Sequence, residues 1–144
     1  MKKRILIADG HPAVRRGMRH ILSRTFAAAE FGEAQNPAEI FEKLDESNWG
    51  LLIFDIDMPG SNGLDILKKI KARPSQVHVL IFTFFREDQY AAAAFEAGAC
   101  GYVSKFSPDA LLVSAVKKVL ADLETSSKNA CALVQRPSVL NSCK

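Results

Sequence analysis

The stretch ILIADGHPAVRRGMRHIL (residues 5–22) changes its periodicity once. Ile5, Leu6 and Ile7 form a continuous apolar run, as a buried strand does. After His11-Pro12, the apolar residues Val14, Met18, Ile21 and Leu22 recur at the 3.6-residue spacing of a helix. Between the two halves stand a carboxylate, Asp9, and a glycine, Gly10. The stretch reads as one strand-helix unit whose buried strand ends on an acid.

The same alternation runs along the chain. Strand candidates fall near 4–8, 27–31, 51–54, 77–82 and 101–103, and helical patterns near 12–25, 37–47, 63–72, 87–97 and 108–122. Asn36-Pro37 announces the second helix as a cap followed by proline at the first helical position, and Ser107-Pro108 announces the last. The last helix carries the apolar stripe Leu111, Leu112, Ala115, Val116, Val119 and Leu120. Five strand-helix units of this length predict an α/β fold, a five-stranded parallel sheet with helices on both faces.

Bulk properties agree. A chain of 144 residues has room for one ordinary domain, and 48% apolar with 24% charged residues fits a globular protein. No apolar run approaches the roughly 18 residues of a membrane span. Met1-Lys2-Lys3-Arg4 followed by apolar residues has the start of a signal peptide, but Asp9 interrupts the run too early. Cys100, Cys131 and Cys143 form neither a metal spacing nor a disulfide framework, so a cytoplasmic protein is expected. Cys100, between Ala99 and Gly101, reads as a small core residue. A net charge of +3 gives no argument for nucleic acid. The excess is concentrated at the start, in Lys2, Lys3, Arg4, Arg15, Arg16, Arg19 and Arg24. That cluster reads either as a solvated helix face or as a docking surface for an acidic partner.

In doubly wound sheets, ligands sit beyond the carboxyl ends of the strands. The first strand ends at Asp9; the third, Leu51–Phe54, ends at Asp55, with Asp57 two residues on. The fourth runs into Thr83 and the fifth leads to Lys105. Two carboxylates, a hydroxyl and an amine at one sheet edge suit a divalent cation and a phosphoryl group. Carboxylate oxygens match Mg²⁺, which takes few protein ligands. A carboxylate can also be the nucleophile toward a phosphoryl donor, with metal, hydroxyl and ammonium neutralising the transferring oxygens.

FDIDMPGSNGLDIL (54–67), IFTFF (81–85) and AGACGYVSK (97–105) resemble the receiver domain of two-component response regulators, over residues 3–122. The opening ILIADGHPAVRRGMRHIL resembles the subfamily that usually carries a C-terminal helix-turn-helix DNA-binding domain. The resemblance implies a flavodoxin-like, doubly wound (βα)5 receiver fold over residues 1–122, with 123–144 a linker or flexible tail. It implies that Asp55 is the phosphoacceptor, three residues before Met58-Pro59-Gly60 turns the chain. Asp9 matches an acid that assists the metal largely through water, and Asp57 the residue whose backbone carbonyl completes the metal shell. Thr83 matches the hydroxyl that closes on the phosphoryl group, Lys105 the amine that pairs with it, and Tyr102 the aromatic switch. Gly63 fits a loop-to-helix turn with little space for a side chain.

Two positions depart from the family pattern. Gly10 stands where an acid usually ligates the metal, so Mg²⁺ binding is expected to be weak unless the Asp57 side chain substitutes. Phe106 stands where proline usually follows the lysine, often with a cis bond that costs about 2.5–4 kcal/mol without proline. A trans bond is therefore expected there.

The implied partners are a histidine kinase or phosphotransfer protein and a second copy of the chain. DNA would be reached only through an output domain outside these residues. The expected function is a phosphorylation-driven switch that is not an enzyme beyond self-catalysed phosphoryl transfer and dephosphorylation. The alternative is a degenerate receiver, a phosphorylation-independent interaction or dimerisation module. A flavodoxin-like nucleotide binder is disfavoured, because Asp9-Gly10-His11-Pro12 is no glycine-rich phosphate loop.

Overall fold

The computed structural model describes residues 3–58, 62–74, 77–84 and 87–125. Five strands, β1 (Arg4–Ala8), β2 (Glu30–Ala34), β3 (Leu51–Phe54), β4 (His78–Thr83) and β5 (Gly101–Ser104), alternate with five helices. These are α1 (Pro12–Thr25), α2 (Pro37–Glu46), α3 (Gly63–Lys71), α4 (Glu87–Glu96) and α5 (Asp109–Thr125). The strands form one parallel sheet in the order β2-β1-β3-β4-β5.

The two-residue period of a strand divides the core in two. Ile5, Ile7, Leu51, Ile53, Leu80 and Val103 turn to one face and meet Met18 and Leu22 of α1 and Leu112, Val116 and Val119 of α5. Leu6, Ala8, Leu52, Phe54, Val79 and Ile81 turn to the other and meet Ile40, Leu44, Leu67, Ile70, Ala91 and Ala94 of α2, α3 and α4. The alanines let α4 lie close to the sheet beside Tyr102, which is fully buried. Cys100 is buried in the α1–α5 core, as expected of a small core residue.

The second helix starts where Asn36-Pro37 announces it, and the third has a cap of its own. Asn36 accepts a hydrogen bond from the Glu39 amide (2.9 Å) ahead of Pro37, and Asn62 caps α3 through the Leu64 and Asp65 amides. Gly63 is confined by close approach: a Cβ there would stand 1.9 Å from the Ile56 carbonyl oxygen. Gly98 closes the turn after α4 at φ +113°, a conformation that side chains disfavour.

The second strand is displaced from its expected place at 27–31. Ala27–Ala29 belong to the connecting turn, closed by the Ala29 amide on the Phe26 carbonyl (3.0 Å). β2 is an edge strand with Glu30 and Glu33 on it, so polar residues hide a signal that the alanine run imitates. β4 lies one residue later than expected, and α5 begins at Asp109 and runs to Thr125 rather than 108–122. Pro59, Gly60, Cys131, Cys143 and the tail from residue 126 onward lie outside the described residues.

Candidate phosphoryl and cation site

The strand order reverses direction between β1 and β3, which leaves a crevice at their carboxyl ends. Ala8 stands opposite Phe54 in the register, so the next residues, Asp9 and Asp55, enter that crevice together. Asp9 is fully buried and Asp55 nearly so. Their main chains join the sheet, the Asp9 amide donating to Ala34 O and the Asp55 amide to Ala8 O, each at 3.0 Å.

Lys105 closes the crevice from β5. Its amide donates to Thr83 O (2.8 Å), pinning the residue after β5 to the end of β4. Its Nζ donates to Asp9 Oδ2 (2.5 Å) and Asp55 Oδ2 (3.1 Å), and its side chain is 3% exposed. One ammonium thus spans two buried carboxylates, a trio with one surplus negative charge. Thr83, also buried, is the last residue of β4. The Asp57 amide donates to Asp55 Oδ1 (3.0 Å), while the residue itself is exposed.

The expected residues therefore gather at one end of the sheet. Sequence reasoning missed His11. Its amide donates to Asp9 Oδ1 (2.8 Å) and its Nδ1 lies 2.9 Å from the same oxygen. One ligand atom each from Asp9, His11 and Asp55 lie within 4.8 Å of one another, and Asp57 is outside that group. The Asp-x-His spacing was the available signal, since an Asx turn brings residue i+2 back onto the carboxylate.

Phe106 is 80% exposed, and its ring packs on that of Phe84, centroids 5.1 Å apart. Phe84 in turn lies 4.9 Å from Lys105 Nζ. The described residues contain no cis peptide, so the bond before Phe106 is trans, as the missing proline led us to expect.

Three arginines of the basic cluster are committed to internal pairs. Arg15 and Arg19 both bind Glu33 (3.1 and 2.9 Å), Arg15 also donates to Asp9 O (2.6 Å), and Arg4 pairs with Glu30 (3.5 Å). Burial raises the Glu33 carboxyl, but the hydrogen bonds and charges of Arg19 and Arg15 outweigh it and hold the group below its ordinary range.

Comparison with known proteins identifies the family. Residues 5–117 match the family described as the response regulator receiver domain. The chain belongs to that family. The receiver is 36% identical to the transcriptional activator protein ExaE of Pseudomonas putida, over 81% of this chain and 55% of that protein. It is 35% identical to the oxygen regulatory protein NreC of Staphylococcus epidermidis, over 81% of this chain and 54% of that protein. A LuxR-family two-component response regulator from an Aurantimonas species has the same fold, with a TM-score of 0.77 at 35% identity. That match covers 84% of this chain and 86% of the other. Relatives of this type agree with the narrower resemblance of the opening residues. The receiver spans about half the length of the two sequence relatives.

Receiver domains generally bind Mg²⁺ at an acidic site. Asp9 and Asp55 offer the hard oxygen donors that Mg²⁺ takes, and in that respect the residues fit it. Gly10 adds no donor, and the third group within reach is an imidazole, which suits transition ions better. Among the described residues no helix is long and apolar enough to cross a membrane.

Proposed function

We propose that Asp55 of this receiver accepts a phosphoryl group from a histidine kinase or phosphotransfer protein. The observation that carries this reading is the Lys105 ammonium shared between buried Asp9 and Asp55 at the strand switch point. A carboxylate oxygen of Asp55 attacks phosphorus while the bond from phosphorus to the donor breaks, its electrons leaving with the donor. Beyond the Asp55 nucleophile itself, the protein contributes charge neutralisation and positioning. Lys105 supplies one positive charge, Thr83 a hydroxyl for a phosphoryl oxygen, and the Asp57 amide a fixed donor against Asp55 Oδ1. Mg²⁺, held by Asp9, Asp55 and the backbone at Asp57, would supply further positive charge. With Gly10 in place of an acid, that hold is weak.

The reading extends to output. Movement of Thr83 toward the phosphoryl group would rearrange the packing of Tyr102 and so the face made by α4, β5 and α5. That face, or α1 with α5, is the proposed contact for a second copy of the chain. The receiver domain runs to the end of α5 at Thr125, three residues past the expected boundary at 122, with the residues after it a linker or tail, and DNA and transcription would be reached only through an output domain. The protein works in the cytoplasm, and its only catalysis is its own phosphorylation and dephosphorylation. Incubation with acetyl phosphate and Mg²⁺ should add the mass of one phosphoryl group to the wild type and to Asp57→Asn, and none to Asp55→Asn. A gain that survives in Asp55→Asn and disappears in Asp57→Asn would overturn the assignment.

A further inference from the structure

We propose that His11 is a metal ligand, and that with Asp9 and Asp55 it makes this site prefer a divalent transition ion such as Mn²⁺ to Mg²⁺. The inference rests on the reading of Asp9 and Asp55 as the cation-binding carboxylates. His11 Nδ1 and Asp9 Oδ1 are 2.9 Å apart. Adjacent donors of an octahedral ion with bonds of about 2.1 Å stand about 3 Å apart, so the pair already has the required bite. Both residues belong, with Asp55, to a group in which one ligand atom from each lies within 4.8 Å of the others.

The ring is held there by backbone rather than by chance. The His11 amide is hydrogen-bonded to the same Oδ1 at 2.8 Å, and Pro12 starts α1 immediately after it. Asp9 is fully buried and Asp55 3% exposed, whereas the His11 side chain is 55% exposed. Lys105 engages Oδ2 of each acid, so Asp9 Oδ1, the oxygen beside the imidazole, lies on the side away from the ammonium.

The chemistry follows from the donors. Nδ1 carries a free lone pair when the ring proton sits on Nε2. Imidazole is a poor ligand for Mg²⁺ and a better one for first-row transition ions, least so for Mn²⁺, which also accepts the carboxylate oxygens. Gly10 removes a charged oxygen, and a neutral nitrogen replaces the ligand without replacing the charge. Mg²⁺ loses most from that exchange, because its binding depends on anionic oxygens.

The test uses Mn²⁺ and Mg²⁺ alone, without phosphoryl donor. Calorimetry should find Mn²⁺ bound at least about tenfold more tightly than Mg²⁺, and pulsed electron paramagnetic resonance should show ¹⁴N modulation from one imidazole. In His11→Ala the modulation should vanish and Mn²⁺ affinity fall about 10–100-fold, the range for lost support at a metal site, with Mg²⁺ affinity changed less than about twofold. His11 is exposed at the start of a helix, and circular dichroism checks that the variant folds. His20→Ala should retain the signal. Absent modulation in the wild type, or Mn²⁺ affinity unchanged in His11→Ala, would overturn the inference. Intact mass after acetyl phosphate treatment separates the two readings. Phosphorylation of Asp55 without a nitrogen signal defeats only the His11 ligand, and a nitrogen signal without phosphorylation defeats only the phosphoacceptor.

Discussion

Replacing Lys105 with methionine keeps an unbranched side chain one atom shorter and removes the ammonium between Asp9 and Asp55. Both carboxylates are within 3% of complete burial, and the ammonium stands 2.5 and 3.1 Å from them. At about 3 Å and an effective dielectric constant of about 20, each attraction is worth roughly 5 kcal/mol before desolvation is counted. Most of that is offset by the cost of burying the charges, but removing one partner leaves the others uncompensated. The expected loss is about 3–5 kcal/mol, the range for a broken buried pair. In urea, with a slope of about 2 kcal/mol per molar, the unfolding midpoint should fall by roughly 1.5–2.5 M. Asp55→Asn should do the opposite. It removes the surplus negative charge and leaves the closer Lys105–Asp9 pair intact, so the midpoint should equal or exceed that of the wild type. In the Asp55→Asn background, Lys105→Met should cost at least about 1 kcal/mol less than in the wild type, because groups in one network couple by about 0.5–3 kcal/mol. Circular dichroism at pH 7 without divalent cations follows all four proteins. A loss under about 1 kcal/mol for Lys105→Met, or equal losses in both backgrounds, would refute the account of the buried trio.

Gly10→Asp should tighten Mg²⁺ binding by about one to two orders of magnitude and speed phosphorylation by acetyl phosphate; equal affinity and rate would point to another ligand. Glu33 has a lowered carboxyl, so the stability it contributes is present above about pH 4.3 and is lost as pH falls through its folded-state value. Glu33→Gln should therefore unfold at lower urea than the wild type at pH 7, and the difference should shrink by pH 3. Beryllofluoride with Mg²⁺ should change amide-exchange protection in β4, α4 and β5, and unchanged protection there would count against the Thr83–Tyr102 switch.

The sequence was most legible where the chain is most constrained. Strands β1 and β3 are buried on both faces, so continuous apolar runs mark them, and each ends on an acid whose position is fixed by the pairing of Ala8 with Phe54. Asn36 is legible as a helix cap because its hydrogen bond is local and needs no tertiary information. β2 was displaced because an edge strand is half solvated, and its glutamates serve arginines rather than the core, Glu33 those of α1 and Glu30 Arg4 of β1. His11 went unread for a different reason. Its place beside Asp9 depends on how the turn folds back, whereas its neighbour Gly10 was conspicuous by residue type alone. The tilted contact of Phe84 with Phe106 joins the chain after two strands, and no local pattern encodes such a contact.

Borohydride trapping tests the central claim most directly. Hydride reduces an aspartyl phosphate at its carbonyl carbon, expels phosphate and leaves homoserine, so peptide mass spectrometry reads the modified position itself. After treatment with acetyl phosphate and Mg²⁺, homoserine is expected at residue 55 alone, and at no residue when the donor is omitted. Homoserine at 9 or 57, or an unmodified residue 55 in a protein that has gained the mass of a phosphoryl group, would contradict the assignment of Asp55 as the acceptor.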